Sequence, residues 1–209
     1  MKIITYINLH KILVVPVVLA LMWYYQNWST EAFVYLSIHG TYSLLWLIKE
    51  ELYPDRRFQQ VVPQKIGFPF IFVPLAGYYL APYFLISRHI TLPPYVVGAA
   101  LCIYTIGIFY HYVGDAQKYY TLRLQKGLIE DGLFGRTRNP NYLGEILIYF
   151  AFAILSWHWL PFCVLAGWVF GFFVRNMWMK DQSLARHPHF AEYQRRTGML
   201  FPKLFRAHA

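Results

Sequence analysis

Two stretches of this 209-residue chain gather side chains of the kinds that bind charged ligands. Residues 111–145 read HYVGDAQKYYTLRLQKGLIEDGLFGRTRNPNYLGE, and residues 175–203 read RNMWMKDQSLARHPHFAEYQRRTGMLFPK. In the first, Pro140 suits the opening turn of a helix and Asn139 the cap before it. Helical spacing then puts Arg138, Asn141, Tyr142 and Glu145 on neighbouring turns of one face. Glu145 stands where an apolar run begins, and an ionisable group there costs about 2–3 kcal/mol unless it is paired or hydrated. It is either a functional group or half of an ion pair with Arg138 or Arg175. Asp115 and Lys118, followed by Arg123, Lys126 and Arg136, form either a solvated loop or a polyanion clamp aided by helix N-terminal amides. In the second stretch, Tyr193 either packs against the first stretch and shapes a pocket or faces lipid on an interfacial helix. Glu50 and Glu51 are adjacent, so only one can face a cavity. They are either a solvated helix end or an acid able to give a proton or polarise a carbonyl. His39 is expected to be packed and bonded to a hydroxyl or carbonyl.

The rest of the chain must position these groups, and its composition says how. It is 57% apolar, 20% aromatic and only 14% charged, against about 25% charge in a soluble domain. That excludes disorder, a coiled coil and a disulfide scaffold, and predicts an all-α, polytopic transmembrane helical bundle. Six spans are read, at 12–25, 32–48, 67–86, 92–113, 143–157 and 160–179, the first with apolar residues already ahead of Lys11. The last two form a tight hairpin around Trp157-His158-Trp159. No cleavable signal peptide is read at the N-terminus. The expected division is residues 1–113, with four helices, and 114–209, which holds both polar stretches, a helical hairpin and a tail.

The net charge of +9 follows from topology. Seventeen of the 19 Lys and Arg, from Lys2 and Lys11 to Arg206, fall in four groups that alternate with the spans, which places both termini in the cytosol. The cations then meet lipid headgroups or a phosphate-bearing ligand, and their spread argues against nucleic acid. Cys102 and Cys163 lie inside spans as packing residues. His187 and His189 are the one closely spaced histidine pair and no HExxH occurs, so no metal site is expected.

The residues Gly132-Leu133-Phe134, then Arg138-Asn139-Pro140-Asn141-Tyr142-Leu143-Gly144-Glu145, then Asp181, Tyr193 and Pro202 resemble the C-terminal signature of an integral membrane superfamily. It comprises the steroid 5-alpha-reductases, the sterol C14 and C7 reductases and bacterial relatives, together with isoprenylcysteine carboxyl methyltransferases and phospholipid N-methyltransferases. The resemblance covers roughly residues 105–205, and the first hundred residues match only as hydrophobic spans. Asn139 departs from the usual His, and Lys180-Asp181 stands where the methyltransferases usually carry two acids. A cation there suits a multiply phosphorylated cofactor better than a sulfonium.

The resemblance to the reductases implies NADPH held by Asp115, Lys118, Arg123, Arg138, Asn139, Asn141, Tyr142, Glu145, Asp181 and Tyr193. It implies an apolar lipid substrate entering from the bilayer, with a carbon–carbon double bond reduced. Glu50 or Glu51 would serve as the acid, alongside Tyr142 at the reacting centre and with Tyr78 or Tyr79 as positional matches. The resemblance to the methyltransferases implies S-adenosylmethionine in the same pocket and a lipid amine or prenylcysteine carboxylate as acceptor. A non-catalytic lipid-binding role is the third reading.

Overall fold

Apolar side chains carry the chain into helix almost from its first residue. The computed structural model describes residues 1–203, so Arg206 lies outside the described residues. Its helices are α1 (Ile3–Tyr24), α2 (Thr30–Leu52), α3 (Gln64–Ser87), α4 (Pro94–Leu124), α5 (Pro140–Ser156), α6 (Trp159–Leu184) and α7 (Phe190–Arg196). Among the described residues, extended pairing is confined to isolated bridges at Lys2–Val61 and Thr137–Gly198. α3 contains Pro69, Pro74 and Pro82, which remove backbone donors, and widens into a π turn at Phe68–Phe72.

Among the described residues, α1, α3, α4 and α6 are long and apolar enough to cross a membrane. α2, with 23 residues, is about 35 Å long but carries His39, Lys49, Glu50 and Glu51. α5 is apolar, yet its 17 residues span only about 25 Å against a hydrocarbon core of about 30 Å. The six apolar ranges read from the sequence are helical except at Tyr25, Leu92, Pro93 and Trp157 on their edges, and four of them meet the span criterion outright. One placement is corrected: α1 starts at Ile3, so Lys11 lies inside it, 3% exposed, rather than ahead of it as a flanking cation. Ile3, Ile4, Ile7 and Leu9 extend the apolar helix, and aromatic faces shelter the ammonium. Lys49 likewise is buried in the last turn of α2 rather than lying in a loop.

The chain forms two compact units that interleave along the sequence, Met1–Tyr104 with Tyr149–Leu165, and Thr105–Ile148 with the chain from Ala166. The sequence reading divides once, after Val113, whereas α4 and α5 each contribute to both units. In the first unit α1 packs on α2, where a Cβ added at Gly40 would stand 3.1 Å from a Val15 methyl. Ser29 caps α2 through the Ala32 amide, and Trp46 Nε1 donates to Asn8 Oδ1 at 3.2 Å. In the second unit α4 and the start of α5 cross at backbone distance. A Cβ at Gly144 would run into the backbone nitrogen of His111 and the carbonyl of Gly107. Gly114 lies similarly close to the Asn141 nitrogen and the Pro140 ring.

Candidate functional site

The second unit is closed by a clasp that joins residues 134–139 to the tail, and Arg138 is its centre. Its backbone nitrogen donates to the Gly198 carbonyl at 2.9 Å, while Gly198 and Lys203 both donate to the Arg136 carbonyl. Arg138 therefore precedes the first turn of α5 and turns toward the tail. Its Nε and Nη2 meet the Asp181 carboxylate at 3.0 and 2.8 Å, and its Nη1 donates to the Thr197 carbonyl at 2.9 Å. Both side chains are buried. This corrects the sequence expectation that Arg138 would share a face with Glu145. The partner lies 43 residues away because the backbone bridge at Thr137–Gly198 sets the direction of the guanidinium.

Asn139 works as a second hook: its Nδ2 donates to the Met199 carbonyl at 2.8 Å, and its Oδ1 accepts from Lys180 Nζ at 3.2 Å. Lys180 also donates to the Arg138 carbonyl at 2.5 Å. Thr137 Oγ1 donates to the Leu200 carbonyl at 2.7 Å. Tyr193, on α7, donates to the Phe134 carbonyl at 3.0 Å, so it does pack against the first polar stretch. Burial, with Asp181 nearby, pushes its hydroxyl pKa well above the usual phenol value. The neutral phenol is thus favoured in the fold: its contribution is full below about pH 10 and is lost as the pH rises further. Tyr193→Phe should cost about 1–2 kcal/mol at neutral pH by leaving a buried carbonyl unbonded. It should also remove part of the alkaline loss of stability, as read from thermal melts between pH 8 and about 11.

The other residues expected at the site are distributed around this clasp or lie in the first unit. Tyr142 is buried with Phe173 and Met177, its ring centroid 5.0 Å from that of Phe173. His111 Nδ1 donates to the Asn141 carbonyl at 3.2 Å, which fixes the first turn of α5 on α4. Glu145 is half-buried one turn further on. Asp115 and Lys118 are half-buried on the last turns of α4, and Arg123 is exposed with its guanidinium over Tyr119. Gln117 ties α4 to the 131–133 turn, accepting from the Leu133 amide at 3.2 Å and donating to the Asp131 carbonyl. Gly132 sits in that turn at φ +53, and a Cβ there would strike the Gln117 amide.

In the first unit, Glu50 pairs with Lys49 at 2.8 Å and is nearly buried, while Glu51 is exposed. Of the two acids, Glu50 is thus the one that faces inward. Tyr79 donates to the His10 carbonyl at 2.8 Å, and Tyr78 stacks on Tyr149 at 3.6 Å. Sequence reasoning missed Thr137 and Thr197 as clasp residues. It also missed Lys11 and His10 as interior groups.

An open cleft of about 430 Å³ adjoins the clasp, lined by Asp181, Gln182, Arg186, His187, Phe190 and Gln194 among others. Residues 105–148 and 166–203 carry eleven Lys and Arg against six Asp and Glu, so this unit attracts anions. Among the described residues no three His, Cys, Asp or Glu side chains gather as a metal site would need.

The fold and clasp define an all-α protein with helices fit to cross a membrane and a tail locked onto one of them. The chain belongs to the family described as "Protein of unknown function (DUF1295)", matched over residues 11–197, within the steroid 5-alpha-reductase-like membrane superfamily. It is similar to "Uncharacterized protein C7D4.09c" of Schizosaccharomyces pombe, with 33% identity over 112 residues, 46% of this chain. The match covers 39% of that relative's length. No solved structure matches.

Proposed function

We propose that this protein is an integral membrane enzyme that uses NADPH to reduce a carbon–carbon double bond in a steroid or isoprenoid-like lipid, with both termini in the cytosol. The observation that carries the reading is the convergence of Phe134, Arg138, Asn139, Asp181 and Tyr193, scattered over 60 positions of sequence, on one clasp beside a cation-bearing cleft. Arg138 and Asp181 satisfy each other, so their part is to hold the walls of the site in place. Arg186 on the cleft wall, with Lys118 and Arg123 on α4, would hold the phosphates. Tyr142, Asn141 and Glu145, on the first two turns of α5, would border the reacting end.

The bound cofactor would supply a hydride to one carbon of the double bond. The protein must then deliver a proton to the other carbon or to a conjugated carbonyl oxygen. Glu50 is proposed to pass on that proton: its Oε1 accepts from the Lys49 ammonium, which would supply the proton and regain one from water, and its buried Oε2 has no hydrogen-bond partner among the described residues. A low-dielectric site strengthens such a polarising bond. The test is consumption of NADPH by the detergent-solubilised protein, followed by absorbance, with enone steroids and prenyl enones as substrates. Glu50→Gln should lower turnover by about 10²–10⁴-fold with cofactor binding unchanged. Undiminished turnover would remove Glu50 from the mechanism. Methyl transfer from S-adenosylmethionine to a lipid without NADPH consumption would replace the reductase reading.

A further inference from the structure

Two histidines and a lysine lie inside the first unit, among apolar and aromatic side chains of its helices. His10 and Lys11 are on α1 and His39 is on α2, with relative exposures of 0%, 3% and 0%. The rings of His10 and His39 stand 6.4 Å apart. Lys11 Nζ sits 3.8 Å above the centre of the Tyr42 ring and donates to Tyr149 Oη at 3.0 Å. His39 stacks on Phe152 at 4.3 Å, and its Nδ1 is 3.1 Å from Tyr35 Oη. We assign Tyr35 Oη as the donor to Nδ1, which puts the imidazole proton on Nε2. That Nε2 is buried and has no hydrogen-bond partner among the described residues, and the same holds for Ser43 Oγ, one helical turn along the same face of α2.

Burying an ammonium and two imidazoles in apolar helices is costly, and unmet buried donors add to the cost. Packing alone does not require it, since Leu or Phe would fill these positions more cheaply. The groups share one chemical character: an ammonium, an imidazole N–H and a hydroxyl that all can donate to an electron-rich oxygen.

We infer that this cluster is a binding site for the oxygen-bearing head of a lipid, specifically a long-chain carboxylate, with His39 Nε2 and Ser43 Oγ as direct donors and Lys11 as the charge that selects an anion. It deepens the lipid-enzyme reading by adding a carboxylate to the steroid or isoprenoid-like lipid named there, and rests on that reading only for the consequence that the bound lipid is the substrate. A carboxylate accepts up to four hydrogen bonds and meets the ammonium with an opposite charge, whereas an ester of the same chain length brings no charge and an amine brings a like one.

The test uses the full chain in detergent micelles, with oleate, methyl oleate and oleylamine as probes and thermal stability and direct binding as readouts. Oleate should stabilise the wild-type protein at concentrations where methyl oleate and oleylamine do not. Ser43→Ala, the mildest change, and Lys11→Gln should each weaken oleate about tenfold or more. Both should leave the NADPH-induced shift intact, because they lie outside the cofactor-binding unit. If Lys11→Gln does not fold, the comparison of the three probes on wild-type protein decides by itself. Equal response to all three probes, or undiminished oleate binding in Ser43→Ala, would overturn the inference and leave internal water as the partner of these donors. An oleate response that obeys the variants in a protein that ignores NADPH would support the site and reject the reductase reading.

Discussion

Asp181→Ala should cost about 3–5 kcal/mol, because it strands a buried guanidinium that now meets the carboxylate through two nitrogens. A protein of this size should then melt on the order of 10 °C lower. Arg138→Ala should behave alike. Arg138→Lys should recover only part of the loss, since an ammonium cannot reproduce the fork that also reaches the Thr197 carbonyl. Arg138→Met with Asp181→Leu should be less damaging than either single change, because apolar replacement of a buried pair leaves no uncompensated charge. The measurement is a double-mutant cycle of melting temperature in detergent. A loss below about 1 kcal/mol for Asp181→Ala would mean that the pair is solvated, as surface pairs are.

Gly144→Val should be more severe still. The added carbons meet the backbone of His111 and the carbonyl of Gly107, which cannot rotate away as a side chain would. Overpacking by a methylene costs about 1–3 kcal/mol, and a backbone clash costs more. The expected result is a protein that does not fold, or one that melts well below the wild type and loses the His111–Asn141 hydrogen bond. Gly98→Ala is the control, since a Cβ there meets nothing within 4 Å; it should be neutral or stabilising by about 0.5–1 kcal/mol. Equal stability of Gly144→Val and Gly98→Ala would refute the close helix crossing.

The helices were readable because a bilayer demands long apolar runs, and this chain supplies them at the expected positions. Tyr193 and Asp181 were readable as parts of a motif. The partner of Arg138 was not: helical spacing offers Glu145, two turns on, while the true contact is made across 43 residues by a tail whose path no local pattern encodes. Asn139 shows the same limit. Its type suggested a helix cap, and its side chain instead holds Met199 and Lys180. Lys11 misled for a different reason. A cation near a chain start reads as a flank, whereas the aromatic faces of Tyr42 and Trp46, brought in from α2, and the Tyr149 hydroxyl make its burial tolerable.

The central claim is that the second unit binds NADPH. It is tested most directly by separate titrations of NADPH and S-adenosylmethionine into the solubilised protein, following the melting temperature, with Glu145→Ala and Tyr142→Phe alongside. A ligand at about 100 times its dissociation constant adds about 2.7 kcal/mol, which a melt resolves. The account predicts stabilisation by NADPH alone, reduced in both variants. Stabilisation by S-adenosylmethionine alone would contradict it and make the chain a methyltransferase, and a response to neither would contradict the enzymatic reading.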